Sequence, residues 1–130
     1  MILQTADASP LDEAMIAAAV ERFYAQVRLD PLLGPVFNAH VGDWDQHLAT
    51  IADFWSSVML RTGRYPGGLM GAHMRHQAEL SPEMFDRWLA IWSQVTVEVM
   101  PEHAARTMQA RAAMVAESLK LSLFFRVPRT

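Results

Sequence analysis

Apolar residues recur at intervals of three and four along nearly all of this 130-residue chain, and this spacing constrains the fold more than any other feature. Such intervals keep apolar side chains on one face of an α-helix. No segment alternates apolar and polar residues as a half-buried strand would. The sequence therefore predicts an all-α protein. Because a chain of this length suffices for one core and not for two, it also predicts a single domain over residues 1–130.

Proline and capping residues indicate where helices form in the first half of the chain. Ser9-Pro10 predicts the start of a first long helix, which runs to about Asp30. Asp30-Pro31 opens a short helical turn, and Gly34-Pro35 keeps that turn from extending. Its apolar residues are expected to point inward: Leu32, Leu33, Val36 and Phe37. Asp43 then caps a second long helix that ends near Arg61.

The second half of the chain begins with a glycine-rich loop from Arg61 to Gly71, RTGRYPGGLMG. A short helical segment follows at about His73 to Glu79. Ser81-Pro82 repeats the capping signal and opens a third long helix, which Pro101 stops, and a last helix runs from about Glu102 to Phe125. The long helices would form two antiparallel pairs that stack as a sandwich around an apolar space.

Charge and cysteine content exclude several classes of partner and site. Eleven lysines and arginines stand against fourteen aspartates and glutamates, giving a net charge of −3 without a basic run, so nucleic acid is not expected as a partner. The absence of cysteine excludes disulfides, thiolate nucleophiles and iron–sulfur clusters. No segment has the ~20 apolar residues of a membrane span, and the first residues lack a signal-peptide pattern. We therefore expect no membrane partner and, by default, a cytoplasmic location.

Polar side chains project into the predicted apolar space from three different helices. Tyr24 lies on the first long helix, His47 on the second and Trp88 on the third. A buried polar group without a partner costs roughly 1–3 kcal/mol, so three that converge indicate a polar ligand between them. His73 follows the glycine-rich loop, and His47 is followed one turn later by an apolar and aromatic stretch. The stretch is formed by Ile51, Phe54 and Trp55. This layout suits a chain that holds a flat iron cofactor between two helices.

Four segments resemble, in order and approximate spacing, those of the truncated haemoglobins, and within them of the third group. The segments are FYAQVRLDPLLGPVF, DWDQHLATIADFW, GRYPGGLMGAH and FDRWLAIW, and together they cover about Glu21 to Trp92. The resemblance implies a globin-like two-over-two helical sandwich that holds haem b. Its five-coordinate iron would bind O2, NO or CO. The resemblance also implies an electron donor that the sequence does not identify, and it leaves open oxidation of nitric oxide and a peroxidase-like activity.

The resemblance assigns roles to individual residues. His73 is similar to the proximal iron ligand, Tyr24 to a distal tyrosine that donates a hydrogen bond to bound oxygen, and His47 to the distal histidine. The resemblance further implies that Trp88 and Ile51 line the ligand pocket. The full set implied to contact the cofactor is Phe37, His47, Ile51, Phe54, Trp55, Tyr65, His73, His76 and Trp88.

Two departures from the family pattern leave alternatives open. Leu69-Met70 stands where the family usually has a proline, and His76 stands where an apolar residue is usual. His76 therefore remains an alternative proximal ligand, although it requires a three-residue insertion in the loop. A different class of site would be a non-haem metal centre on His73, His76 and Glu79, which suits zinc or ferrous iron. A third interpretation is a haemless helical sensor. His40 and His103 match no role and are expected in solvent.

Overall fold

The structure, a computed structural model, describes residues 11–125, and over this range the chain is α-helical without a strand. The prediction of an all-α protein is therefore confirmed for these residues. A short 3-10 turn, Gln77–Glu79, lies between the fourth and fifth helices of the described range. The α-helices, in chain order, are α1 Glu13–Val27, α2 Gly34–His40, α3 Trp44–Leu60, α4 Leu69–Met74, α5 Pro82–Val99 and α6 Glu102–Phe124.

Helix α1 begins after Asp12, whose carboxylate accepts a hydrogen bond from the backbone N–H of Met15 at 2.9 Å. This contact satisfies one of the N–H groups that a helix leaves without a partner at its start. The prediction that Ser9-Pro10 starts this helix lies outside the described residues. The buried face of α1 has the spacing read from the sequence: Ile16, Ala19, Val20, Phe23, Tyr24 and Val27.

Helix α1 ends at Val27, before the predicted end at Asp30, because Asp30 organises the turn that follows. Its buried carboxylate accepts hydrogen bonds at 3.0 Å from the backbone N–H groups of Leu32 and Leu33, and at 2.7 Å from the Arg87 side chain. Burial by itself would raise the pKa of Asp30, but these hydrogen bonds outweigh it and hold the pKa below its ordinary value. The turn is thus tied to α5.

The prediction that Gly34-Pro35 keeps the short turn from extending is wrong, because these residues begin α2. Proline fits the first turn of a helix, where its missing N–H would have no partner in any case. A Cβ on Gly34 would lie 2.8 Å from the backbone oxygen of Arg28, so glycine permits the close approach of α2 to the end of α1. Leu32 was expected to point inward but is exposed, unlike the other apolar residues of this segment, Leu33, Val36 and Phe37.

The later helix boundaries agree more closely with the sequence. Asp43 caps α3 by accepting a hydrogen bond from the N–H of Gln46 at 3.1 Å, and Arg61 ends it in the left-handed conformation. The glycine-rich loop ends earlier than predicted, because α4 already begins at Leu69, directly after Gly68 with its positive φ of 98°. Helices α5 and α6 begin and end within a residue or so of the predicted positions.

Helix α5 packs along α6, and α1 packs against both α3 and α5. The buried apolar residues form two clusters, the larger joining α1, α3, α5 and the first half of α6. The smaller cluster joins the start of α5 to the end of α6, with members Phe85, Ala116, Leu119 and Leu123. Residues of both clusters line a cavity between them. No helix within residues 11–125 is long and apolar enough to cross a membrane. That residues 1–130 form one domain stays a prediction.

Candidate functional site

An apolar cavity of about 260 Å³ opens between the helices. Side chains of α1 to α6 and of the loop before α4 contribute to its lining. The structure brings all but one of the site residues named from the sequence to this cavity: Tyr24, Phe37, His47, Ile51, Phe54, Trp55, Tyr65, His73 and Trp88. The exception is His76.

His73 is anchored by its own helix in an orientation that defines its tautomer. Its Nδ1 lies 2.8 Å from the backbone oxygen of Leu69, four residues earlier in α4. A carbonyl oxygen can only accept a hydrogen bond, so Nδ1 carries the proton and donates it. In the neutral form of this tautomer, Nε2 carries the lone pair that a metal ion would bind. Because His73 and Leu69 both line the cavity, the arrangement provides an oriented imidazole as a candidate metal ligand at the cavity wall.

His76 does not line the cavity, and its ring lies elsewhere. The ring centroids of His40 and His76 are 4.0 Å apart, and the Glu79 carboxylate is bonded to His40 Nε2 at 2.9 Å. His76 Nδ1 lies 3.8 Å from the same carboxylate. Among the described residues, the group of side chains close enough to share a metal ion consists of His40, His76 and Glu79. The predicted non-haem set is thus corrected in one member, because His40 takes the place of His73.

His47 and Tyr24 line the cavity without a hydrogen bond from Nε2 or from the hydroxyl to any described residue. Nε2 of His47 is buried and unpartnered within the described range. The ring of Tyr24 packs edge-on against that of His47 with centroids 5.0 Å apart, and the Tyr24 hydroxyl makes no hydrogen bond to any of residues 11–125. Burial raises the pKa of Tyr24 and lowers the pKa of His47. Near neutral pH the phenol is therefore protonated and the imidazole uncharged, so the cavity holds polar groups but no charge from this pair.

Stacked and edge-on aromatic rings support the cavity wall. The indoles of Trp88 and Trp92 stack at 6.1 Å, and those of Trp92 and Trp55 stack at 5.1 Å. Phe54 packs edge-on against Tyr65, with ring centroids 5.3 Å apart, and the backbone N–H of Tyr65 donates to Ser57 at 2.9 Å, which fixes the loop to α3. These contacts give the cavity a rigid wall before any ligand enters.

Sequence reasoning missed several lining residues on α5 and α6. Phe85 lines the cavity and lies three residues before Trp88. The spacing of three places both on one helix face, and this signal was available in the sequence. No comparable signal distinguishes the remaining lining residues of these helices from ordinary core positions: Met84, Val115, Ala116 and Leu119.

Comparisons with known proteins agree with the fold and the cavity. No family model matches the chain. The group 3 truncated haemoglobin of Campylobacter jejuni is 31% identical over 121 residues, which cover 88% of this chain and 92% of that protein. The crystal structure of a group III truncated haemoglobin from Campylobacter jejuni superposes with a TM-score of 0.83 at 28% identity, covering 93% of this chain and 98% of that one. The predicted globin-like two-over-two sandwich is confirmed, and the chain belongs to the group III truncated haemoglobins, a family of haem-binding globins.

Proposed function

We propose that the chain holds haem b in the cavity, with His73 as the proximal iron ligand. The observation that carries the proposal is the hydrogen bond from His73 Nδ1 to the Leu69 oxygen at 2.8 Å. Histidines that bind metals in proteins commonly donate their other ring N–H to a carbonyl or carboxylate in this way. His76, the alternative ligand, packs against His40 beside Glu79 and does not line the cavity, which favours His73.

The remaining lining residues suit a large, flat, mostly apolar cofactor. The aromatic and aliphatic side chains that line the cavity would contact the porphyrin faces: Phe37, Ile51, Phe54, Trp55, Tyr65 and Trp88. The cavity therefore fits haem by the chemistry of its lining and by its one anchored imidazole. When bound, haem iron with a neutral histidine ligand supplies a site for a diatomic gas such as O2, NO or CO.

The polar groups of α1, α3 and α5 would act on that gas. The protonated Tyr24 hydroxyl has no hydrogen-bond partner among the described residues, so it can donate a hydrogen bond to a ligand atom that carries negative charge. The indole N–H of Trp88 is a second donor in the cavity, and neutral His47 can donate or accept. Hydrogen bonds in a low-dielectric site strengthen one another. We therefore propose slow release of oxygen, which suits a tight binder better than a transporter.

The same donors would also suit oxidation of nitric oxide to nitrate or reduction of peroxide. Either reaction requires electrons from a donor outside the chain, which would be a further partner. A cytoplasmic location and the absence of nucleic-acid and membrane partners stay predictions.

The proposal is tested by absorption spectra of the purified protein reconstituted with haemin. Spectra are taken in the oxidised, reduced and carbon-monoxide-bound states for the parent, His73→Ala and His76→Ala, with the exposed His103→Ala as a matched control. We expect a Soret band in the parent that is lost or distorted in His73→Ala alone. Loss in His76→Ala alone would make His76 the proximal ligand. A parent without a Soret band would refute haem binding.

A further inference from the structure

His40, His76 and Glu79 form a compact group of metal-ligating side chains outside the cavity. His40 is the last residue of α2, His76 follows α4, and Glu79 ends the 3-10 turn. His40 Nε2 lies 2.9 Å from each of the two Glu79 carboxylate oxygens, and His76 Nδ1 lies 3.8 Å from one of them. One ligand atom from each residue lies within 4.8 Å of the other two. The end of α2 and the segment that contains the 3-10 turn thus bring their donor atoms together.

The donor distances are close to those of a bound transition metal. Zinc binds imidazole nitrogen and carboxylate oxygen at about 2.0–2.2 Å, so two ligands of a tetrahedral site lie about 3.3–3.5 Å apart. The observed distances of 2.9 and 3.8 Å from Glu79 to the two imidazoles lie on either side of that value. The donor atoms of His40 and His76 lie within 4.8 Å of each other, so the side chains around Glu79 would have to adjust to close a tetrahedral site.

Exposure and charge also favour a cation here. The side chains of His40, His76 and Glu79 are 34%, 36% and 48% exposed, so an ion can reach them and keep a water ligand. A single divalent cation would be attracted by the Glu79 carboxylate and could accept a lone pair from each imidazole.

We propose that His40, His76 and Glu79 form a second metal site, distinct from the cavity, for a divalent transition metal such as zinc. Two imidazoles and a carboxylate are a donor set that zinc takes, and an open fourth position would hold water. The ion would tie the end of α2, which contributes Phe37 to the cavity, to the segment that follows His73. Metal binding would thereby stabilise this edge of the fold, because an ion that binds only the folded chain shifts the unfolding equilibrium.

The test is zinc binding by isothermal titration calorimetry on the haemin-reconstituted protein after treatment with a chelator. We expect one zinc ion per chain in the parent, and a Kd at least about tenfold weaker in His40→Ala, His76→Ala and Glu79→Gln, as expected when a metal ligand is lost. His103→Ala serves as the control for an exposed histidine and should bind like the parent. Far-ultraviolet circular dichroism confirms that each variant is folded, and zinc should raise the thermal midpoint of the parent but not of His40→Ala.

Two results would overturn the proposal. A parent that binds no stoichiometric zinc would mean that the group is only a surface ion pair, and His40→Ala that binds as tightly as the parent would exclude His40 as a ligand. His73→Ala separates this site from the cavity, because it should lose its haem spectrum and keep its zinc. Failure of the two proposals is distinguishable: zinc binding without a Soret band refutes only the haem proposal, and a Soret band without zinc binding refutes only this one.

Discussion

Replacing Tyr24 with phenylalanine removes one hydroxyl from the cavity and should accelerate oxygen release. The ring contacts of Tyr24 with Phe37 at 5.6 Å and with His47 at 5.0 Å are aromatic and survive the substitution. What is lost is a hydroxyl that has no partner among the described residues. A hydrogen bond to a charged acceptor contributes about 1.5–3 kcal/mol. Since about 1.4 kcal/mol corresponds to a tenfold change, the oxygen dissociation rate should rise at least about tenfold.

The same substitution should leave the fold intact, which distinguishes a lost donor from a damaged cavity. Because the hydroxyl has no partner among residues 11–125, its removal breaks no internal hydrogen bond there. The free energy of unfolding of the gas-free protein should therefore not fall. Burial raises the pKa of Tyr24, so the phenol stays protonated through neutral pH and the rate difference should be the same at pH 6 and pH 8.

The assay is stopped-flow displacement of oxygen by carbon monoxide in the parent and in Tyr24→Phe. Carbon monoxide release, measured by displacement with nitric oxide, is the internal control, because carbon monoxide carries little negative charge and gains little from a donor. We expect a large change for oxygen and a small one for carbon monoxide. An unchanged oxygen rate would remove Tyr24 from the mechanism. Equal acceleration of both gases would indicate altered access rather than a lost hydrogen bond.

Three further substitutions test the scaffold around the cavity. Asp30→Ala should lower the free energy of unfolding at pH 7 by about 1.5–3 kcal/mol, because charge-assisted hydrogen bonds are lost. The pKa of Asp30 is lower in the folded than in the unfolded protein. Its contribution to the free energy of unfolding is therefore present above the unfolded pKa and is lost as the pH falls through the folded pKa. Urea titrations should show a smaller difference in the free energy of unfolding between parent and Asp30→Ala at pH 3 than at pH 7. Gly34→Ala should destabilise by about 1–3 kcal/mol in the same titration, because its Cβ would meet a backbone oxygen at 2.8 Å. Burial holds the folded pKa of His47 below its ordinary value of 6.5, so the parent should lose stability as the pH falls below 6.5. The thermal midpoint of His47→Leu should fall less between pH 7 and pH 5. Equal acid sensitivity of parent and variant would contradict the burial of His47.

Local signals predicted most of the helices, and they failed where a residue type has two uses. Asp43 and Ser81-Pro82 mark helix starts correctly, since the Asp43 side chain caps α3 and Pro82 fits the first turn of α5, although Ser81 makes no side-chain capping bond. Gly34-Pro35 was taken as a stop, although proline equally suits a first turn and glycine is needed for the close approach to α1. The loop was extended to Gly71 because glycine content is a local average, whereas the boundary depends on one positive φ at Gly68.

The sequence predicted more of the cavity residues than of the surface group formed by His40, His76 and Glu79. The site residues that the sequence named at the cavity lie, apart from Tyr65, on helices, where the three- and four-residue spacing identifies the apolar face. The contact of His40 with Glu79 joins residues 39 positions apart, and no periodicity relates residues at that separation. His40 was therefore assigned to solvent, and the metal-ligand set was built from neighbours in sequence, with His73 in place of His40.

The end of α4 explains why two histidines three residues apart lie in different surroundings. In a continuous helix His73 and His76 would share a face, and this is why spacing alone could not decide between them. Helix α4 ends at Met74, and His76 has left helical geometry with φ −114° and ψ 20°. His73 keeps the i−4 carbonyl of Leu69 as a hydrogen-bond acceptor, whereas the ring of His76 is brought to His40. Because this helix is only six residues long, His73 lies at the cavity wall while His76 is available to an ion at the surface.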